Sequence, residues 1–174
     1  MAERLTFRPE QVGDEPRIFK LVARAFPSDA EASLVDNLRR SRRLTLSLVA
    51  VEGNEILGHV AFSPVTLNGE QINDRQIGWG LAPVATAPER QRQGIAARLI
   101  EHSLEFARRT GIPTVVVLGD PAYYSRFGFQ PARLWNLRDE YQGGDAFQAL
   151  ELIPGSFPAG GGLIQYAPEF GLFG

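Results

Sequence analysis

Residues 81 to 110 hold the densest chemistry in the chain. Leu81-Ala82-Pro83-Val84-Ala85-Thr86 reads as the end of a strand, and Pro88 stops it because it cannot donate to a ladder. A polar turn follows, Arg90-Gln91-Arg92-Gln93-Gly94, and a helix begins near Ala96. A strand entering a Gly-containing turn and then a helix presents backbone N–H groups and the positive end of a helix dipole. That combination binds phosphate oxygens. Gly94 leaves the backbone open to close approach, Ala96 keeps the next position small, and Arg90 and Arg92 add positive charge. The expected occupant is an anion, most simply a diphosphate. Other chemistries are closed off by composition. The chain has no cysteine, which removes disulfides, thiolate metal sites and a Cys nucleophile. His59 and His102 are its only histidines, so a His-rich zinc site is not expected.

Gln91-x-x-Gly94-x-Ala96 resembles the pyrophosphate loop of the GCN5-related N-acetyltransferases (GNAT). In that family the loop holds the diphosphate of acetyl-CoA, and the preceding strand pairs with the pantetheine arm. The resemblance makes Val84, Ala85, Thr86, Gln91, Arg92, Gln93, Gly94, Ile95, Ala96 and Ala97 the expected cofactor-binding residues. A second segment, Tyr123-Tyr124-Ser125-Arg126-Phe127-Gly128-Phe129, is similar to the family's Tyr-x-x-x-Gly-Phe, whose Tyr protonates the departing thiolate. Tyr124 stands four residues before Gly128 and takes that role in the carry-over. The run from Leu81 to Phe129, with Leu118-Gly119-Asp120-Pro121-Ala122 in particular, resembles a subgroup of uncharacterised predicted members, the YhbS-like proteins.

The resemblance implies an α/β (α+β) fold: a mixed, strongly twisted sheet of about six or seven strands flanked by helices and splayed in the middle to admit acetyl-CoA. It also implies acetyl transfer from acetyl-CoA to a primary amine of a small molecule or peptide. Direct transfer in a ternary complex is the simpler route without a cysteine. A strand N–H near Val84 is expected to stabilise the oxyanion. The base is harder to place, because no acidic residue occurs between Ile77 and Thr86, where some family members carry a glutamate. Asp120, at the end of a parallel strand, is the candidate base, and it is equally an N-cap. Glu31 is a more distant candidate. An Asn that some members place seven residues before the Tyr is Val117 here, so that contact is not carried over.

These residues need elements to position them. The spacing Ala96, Leu99, Ile100, Ser103, Leu104, Ala107 marks one face of a helix, with Glu105 and Arg109 set for an i,i+4 pair. Thr114-Val115-Val116-Val117-Leu118 is an uninterrupted apolar run and reads as a buried parallel strand. Asp120-Pro121 opens a short helix. Upstream, Leu5 to Pro9 alternates as a strand, Asp14 is the expected N-cap of a first helix, and Ser28 or Asp29 caps a second. Leu46 to Val51 and Ile56 to Phe62 read as strands joined at Gly53-Asn54, Asn68-Gly69 marks a further turn, and Gln76 to Val84 continues the sheet. Gly78-Trp79-Gly80 signals a bulge or close backbone approach, and a bulge is placed near Ala82 to Val84. Arg39-Arg40-Ser41-Arg42-Arg43 reads first as a solvated helix end, and otherwise as a contact for an acidic acceptor or the 3′-phosphate of CoA.

The remainder sets bounds. At 174 residues the chain suits a single domain, 1–174, with its core motif over 77–130 and further strands and loops over 131–174. Phe147 to Leu152 and Gly162 to Tyr166 read as strands, and the Gly- and Pro-rich stretch between them as a loop. The terminal Phe170-Gly171-Leu172-Phe173-Gly174 either packs back or lies in a homodimer contact. A net charge of −2 argues against a general nucleic-acid partner. No apolar run spans a membrane and no leader pattern opens the sequence, so the expectation is a cytoplasmic protein with no membrane partner. The expected partners are acetyl-CoA and an amine acceptor, with no metal. The rival is a CoA-binding sensor or interaction module on the same fold, indifferent to Tyr124→Phe.

Overall fold

The computed structural model of the chain describes residues 4–69 and 72–172. It contains β1 (Leu5–Pro9), α1 (Glu15–Ala25), α2 (Ala30–Arg40), β2 (Leu46–Glu52), β3 (Glu55–Gly69), β4 (Ile72–Thr86), α3 (Ile95–Arg109), β5 (Thr114–Leu118) and α4 (Pro121–Tyr124), followed by short strands β6 (Gln130–Pro131), β7 (Leu137–Asp139), β8 (Phe147–Glu151) and β9 (Gly162–Gln165). The chain divides into two compact units, one of residues up to 62 with 82–104 and those from 168 onward, the other of residues 63–81 with 105–167. The long strands β3 and β4 and the helix α3 each contribute to both.

In the first unit β1 pairs antiparallel with β2, Phe7 opposite Ala50, and β2 pairs antiparallel with β3, Leu48 opposite Val60. Small residues there admit α3. A Cβ on Gly58 would lie 2.7 Å from Ile95 Cγ2 and 2.9 Å from Leu99 Cδ1, so the absence of a side chain lets the helix lie close. Leu99, Ile100, Ser103, Leu104 and Ala107 are buried, as the helical spacing predicts, while Ala96 at the start of that face is half-buried and its neighbour Ile95 takes the buried place. α1 and α2 pack together through Ile18, Leu21, Val22 and Ala32, Leu34, Val35, Leu38. The 3-10 segment Pro168–Leu172 packs against α2, with Arg43 bonded to Glu169, so the chain end packs back on this unit; Phe173 and Gly174 lie outside the described residues.

Asp14 stands at the N-cap position of α1 as expected, and Ile18 N–H bonds to its carbonyl at 2.9 Å, but its carboxylate has other partners. Its side chain caps nothing at α1; the carboxylate instead takes Arg8 at 2.7 Å, Arg17 at 2.6 Å and the Gln11 N–H at 2.8 Å. The Arg8 guanidinium and the other donors hold its pKa down to about 2 against the opposing effect of burial. Ser28, not Asp29, accepts from the Ala30 N–H at the start of α2. The arginine run is divided between ion pairs and solvent: Arg39 binds Glu10 and Asp36, Arg43 binds Glu169, and Arg40 is exposed. A chain of polar contacts runs inward from Arg39, through Glu10 to Ser47 Oγ at 2.9 Å and from Ser47 to His59 Nε2 at 2.8 Å.

In the second unit β5 pairs parallel with β4 at Trp79–Val115 and Gly80–Val116, and antiparallel with β8 from Thr114–Glu151 to Leu118–Phe147. β6 pairs with β8, β9 with the end of β3, and β7 lies parallel to β9. The ladders are thus mixed, as expected. The strands number nine among the described residues, because β6 and β7, only two and three residues long, join those the periodicity announces. Gly78 is where backbone comes close: a Cβ there would lie 2.1 Å from Thr114 O, which explains a glycine inside a strand.

Candidate active site

β4 ends at Thr86, and Pro88–Arg90 forms a 3-10 turn. Arg92 and Gly94 then adopt left-handed conformations, φ +64° and +80°, before α3 starts at Ile95. Gly94 supplies the turn that any other L-residue with a bulky Cβ would resist. Its exposed Cα faces open space, with nothing within 4 Å of the place a Cβ would occupy. Arg98 N–H bonds to Gly94 O at 3.0 Å, so the N–H groups of Ile95, Ala96 and Ala97 precede the helical ladder. Gln91, Arg92 and Gln93 are exposed around them, while Ile95 is buried and anchors the helix start. Val84 and Thr86 are half-buried and Ala85 buried at the strand end, just after a cis Ala82–Pro83 peptide. All ten expected cofactor residues therefore lie in the first unit along one strand–turn–helix segment.

One charge there is engaged elsewhere. Arg90 binds Glu52 and donates through Nε to Gln93 Oε1 at 2.8 Å, which turns its guanidinium toward the β2–β3 end. Of the two arginines expected to add charge, Arg92 is the exposed one. The sequence hides this pairing because Glu52 stands 38 positions away.

Tyr124 and Asp120 lie in the second unit. Asp120 Oδ1 accepts the Ala122 N–H at 2.9 Å and caps α4, with Pro121 in the first turn. The four-residue helix continues as a 3-10 turn, Ser125–Phe127, and Gly128 at φ +97° closes it. Tyr124 is buried, edge-on to Tyr123 at 5.1 Å and to Phe129 at 5.8 Å between ring centroids. Burial, aided by Tyr123, pushes its hydroxyl up to about 12 and keeps it protonated at neutral pH, the form in which a phenol can donate a proton. Two positioning residues escaped the motif reading. Gly119 lies under the Tyr124 ring, where a Cβ would be 2.3 Å from Cε2, and buried Gln148 donates to Gly119 O at 3.3 Å. The glycine before the Asp-Pro cap was the visible signal for the first. The second had none, since Gln148 is buried between buried neighbours in β8.

The family description "Acetyltransferase (GNAT) domain" matches residues 6–132. A curated relative, the uncharacterized N-acetyltransferase YhbS of Escherichia coli K12, is 41% identical over 163 residues, 92% of this chain and 95% of its own. The chain is a GCN5-related N-acetyltransferase. This acetyltransferase is also 39% identical over 128 residues to the uncharacterized N-acetyltransferase YjhQ of the same strain, covering 72% of this chain and 70% of that one. Its fold superposes on the crystal structure of E. coli YhbS in complex with CoA with a TM-score of 0.91, at 40% identity, covering 100% of this chain and 96% of the other. A GNAT family acetyltransferase from Brucella melitensis, solved in complex with acetyl-CoA, gives a TM-score of 0.80 at 34% identity, covering 97% and 99%. The expected fold is therefore the observed one. Among the described residues, no helix is long and apolar enough to cross a membrane.

Proposed function

We propose that this acetyltransferase acts as one domain over residues 1–174, binding acetyl-CoA and transferring its acetyl group directly to a primary amine of a small molecule or peptide. The observation that carries the reading is the open, left-handed Gly94 turn set before the N–H groups of Ile95, Ala96 and Ala97. It offers an anion site to a diphosphate without requiring a lysine or a metal. The CoA and acetyl-CoA held by the E. coli and B. melitensis relatives support the same occupant.

The proposed reaction balances simply. The neutral amine nitrogen attacks the thioester carbonyl, the C–N bond forms and the C–S bond breaks. The strand N–H near Val84 stabilises the oxyanion, Tyr124 O–H protonates the departing thiolate, and the amine proton passes to Asp120 or to water. Tyr124 recovers its proton from solvent. Asp120 retains Oδ2 for the base role while Oδ1 caps α4.

The test is release of free thiol from acetyl-CoA across a panel of amines, with wild type and Tyr124→Phe compared. Loss of a general acid should lower kcat by about 10²- to 10⁴-fold while leaving acetyl-CoA affinity close to unchanged. Equal turnover by the two proteins would remove the assignment.

A further inference from the structure

The second unit holds a cleft of about 750 Å³ that no step above uses. Its volume falls within the range of small-molecule pockets, about 300–1,000 Å³. Leu137, Phe147 and Leu163 give it apolar surface, and its charged lining residues are Arg133 and Arg138 with Asp139, Glu140 and Asp145. β7 and β9 set Leu137, Arg138 and Leu163 side by side, with Arg138 opposite Leu163 in the parallel ladder.

The charges are not equally available. Asp139 also lines the cleft, but its two oxygens accept the Tyr141 N–H at 3.1 Å and the Gly143 N–H at 2.8 Å. Glu140 Oε1 accepts the Tyr166 N–H at 2.8 Å. Asp139 thus holds its own turn, and Glu140 ties that turn to the backbone that follows β9. Arg133 meets Asp145 only at 3.4 Å, with both side chains mostly in solvent, a pairing worth little. Arg138 makes no ion pair among the described residues. Two guanidinium groups with donors to offer, in a cleft with apolar surface, match a carboxylate on an apolar body.

The cleft is also tied to the candidate acid. Leu118 and Gly119 follow β5. The cleft segment meets them at Gly143, where a Cβ would lie 2.2 Å from Leu118 Cδ2, and at Ala146, whose carbonyl accepts the Gly119 N–H at 2.9 Å. Gly119 in turn lies under the Tyr124 ring. Gly119 is thus shared, bonded to the cleft segment on one side and lying under the tyrosine ring on the other.

We infer that this cleft is the acceptor site, and that the acceptor is an amine bearing a carboxylate on a short apolar body, the carboxylate held by Arg138 and Arg133. The inference rests on the acetyl-transfer reading above. A free amino acid and the C-terminal end of a short peptide share this chemistry.

The experiment pairs acceptors that differ only in the carboxylate: L-leucine with isoamylamine, L-phenylalanine with 2-phenylethylamine, and a Gly-Phe dipeptide with its C-terminal amide. Thiol release from acetyl-CoA gives KM and kcat, and saturation-transfer NMR reports binding of each acceptor independently of turnover. The carboxylate-bearing member of a pair should show a KM about tenfold lower. Arg138→Gln and Arg133→Gln should each raise that KM by about the same factor, leaving kcat and the KM of the decarboxylated partner in place. A free amino acid as source predicts turnover of leucine or phenylalanine, and a peptide end predicts the dipeptide over its amide. Equal KM within every pair, or indifference to both arginine substitutions, would overturn the inference, as would no binding or turnover of any carboxylate-bearing amine by protein that still titrates with acetyl-CoA. Failure of the acetyl-transfer reading has another signature, no acetyl-CoA binding and no thiol release with any amine. In that event the NMR comparison of wild type with Arg138→Gln still decides whether the cleft takes carboxylates.

Discussion

Acidification from pH 7 to pH 5 should lower the unfolding free energy by about 2 kcal/mol through His59 alone. The ring is fully buried on β3, with Nε2 bonded to Ser47 Oγ at 2.8 Å. Burial, with the charge of Arg39 adding to it, pushes its pKa down from 6.5 to about 3. The folded protein therefore keeps a neutral imidazole at pH 5, whereas the unfolded chain takes up a proton below about 6.5. Between pH 3 and 6.5 the unfolded state binds more protons, so stability rises with pH across that window and is lost as pH falls through it. At pH 5 the unfolded imidazole lies about 1.5 units below its pKa, and at about 1.4 kcal/mol per unit the difference from pH 7 is about 2 kcal/mol. Other groups with depressed values act lower on the scale. Asp14 contributes stability above 3.8 that is lost as pH falls toward 2, and Glu89 and Glu169 act below 4.5. Urea unfolding followed by far-ultraviolet circular dichroism at the two pH values measures the loss. His59→Gln removes the titrating ring and keeps a polar partner for Ser47, so the same interval should become nearly flat, whatever the variant's absolute stability. An equal loss in wild type and variant would refute the assignment.

Asp120→Asn keeps a good N-cap and removes the basic carboxylate, so a fall in kcat at unchanged stability would mark Asp120 as the base, while wild-type turnover would leave it as a cap. Asp120→Ala should cost about 1 kcal/mol of stability in urea denaturation in either case. Gly119→Val should displace the Tyr124 ring, cost about 1–3 kcal/mol and lower turnover; an unchanged unfolding midpoint would contradict the close approach of 2.3 Å.

The sequence announced elements whose signal is local. Thr114 to Leu118 is a strand because an apolar run lies between Pro113 and Gly119, and α4 begins where Asp120-Pro121 says it should. The face of α3 follows from its own spacing. What could not be read depends on partners far along the chain. Asp14 sits at the N-cap position its residue type announces, but its carboxylate is taken by Arg8 from β1 and Arg17 from α1. Arg90 looks like a ligand for anions until Glu52 is brought beside it. β3 continues past Phe62 through Pro64, where the residue type argues for an end, because the ladder with β9 at Thr66 to Asn68 holds it extended. β7 is three residues with no pattern of its own, made a strand by β9. The cleft beside it was invisible for the same reason.

The central claim is that the Gly94 turn binds the diphosphate of acetyl-CoA, and calorimetric titration of wild type and Gly94→Val with acetyl-CoA, free CoA and ATP tests it most directly. Wild type should bind acetyl-CoA and CoA saturably at one site and ATP weakly, and the variant should lose acetyl-CoA binding. The added Cβ meets no atom beyond its chain neighbours within 4 Å. The strain of a β-branched residue at φ +80°, more than the ~1–2 kcal/mol of an ordinary L-residue, therefore falls on the exposed turn, and circular dichroism of the variant checks that the fold is kept. Undiminished binding by folded Gly94→Val would contradict the claim, and no binding by wild type would leave an acetyltransferase fold without its donor site.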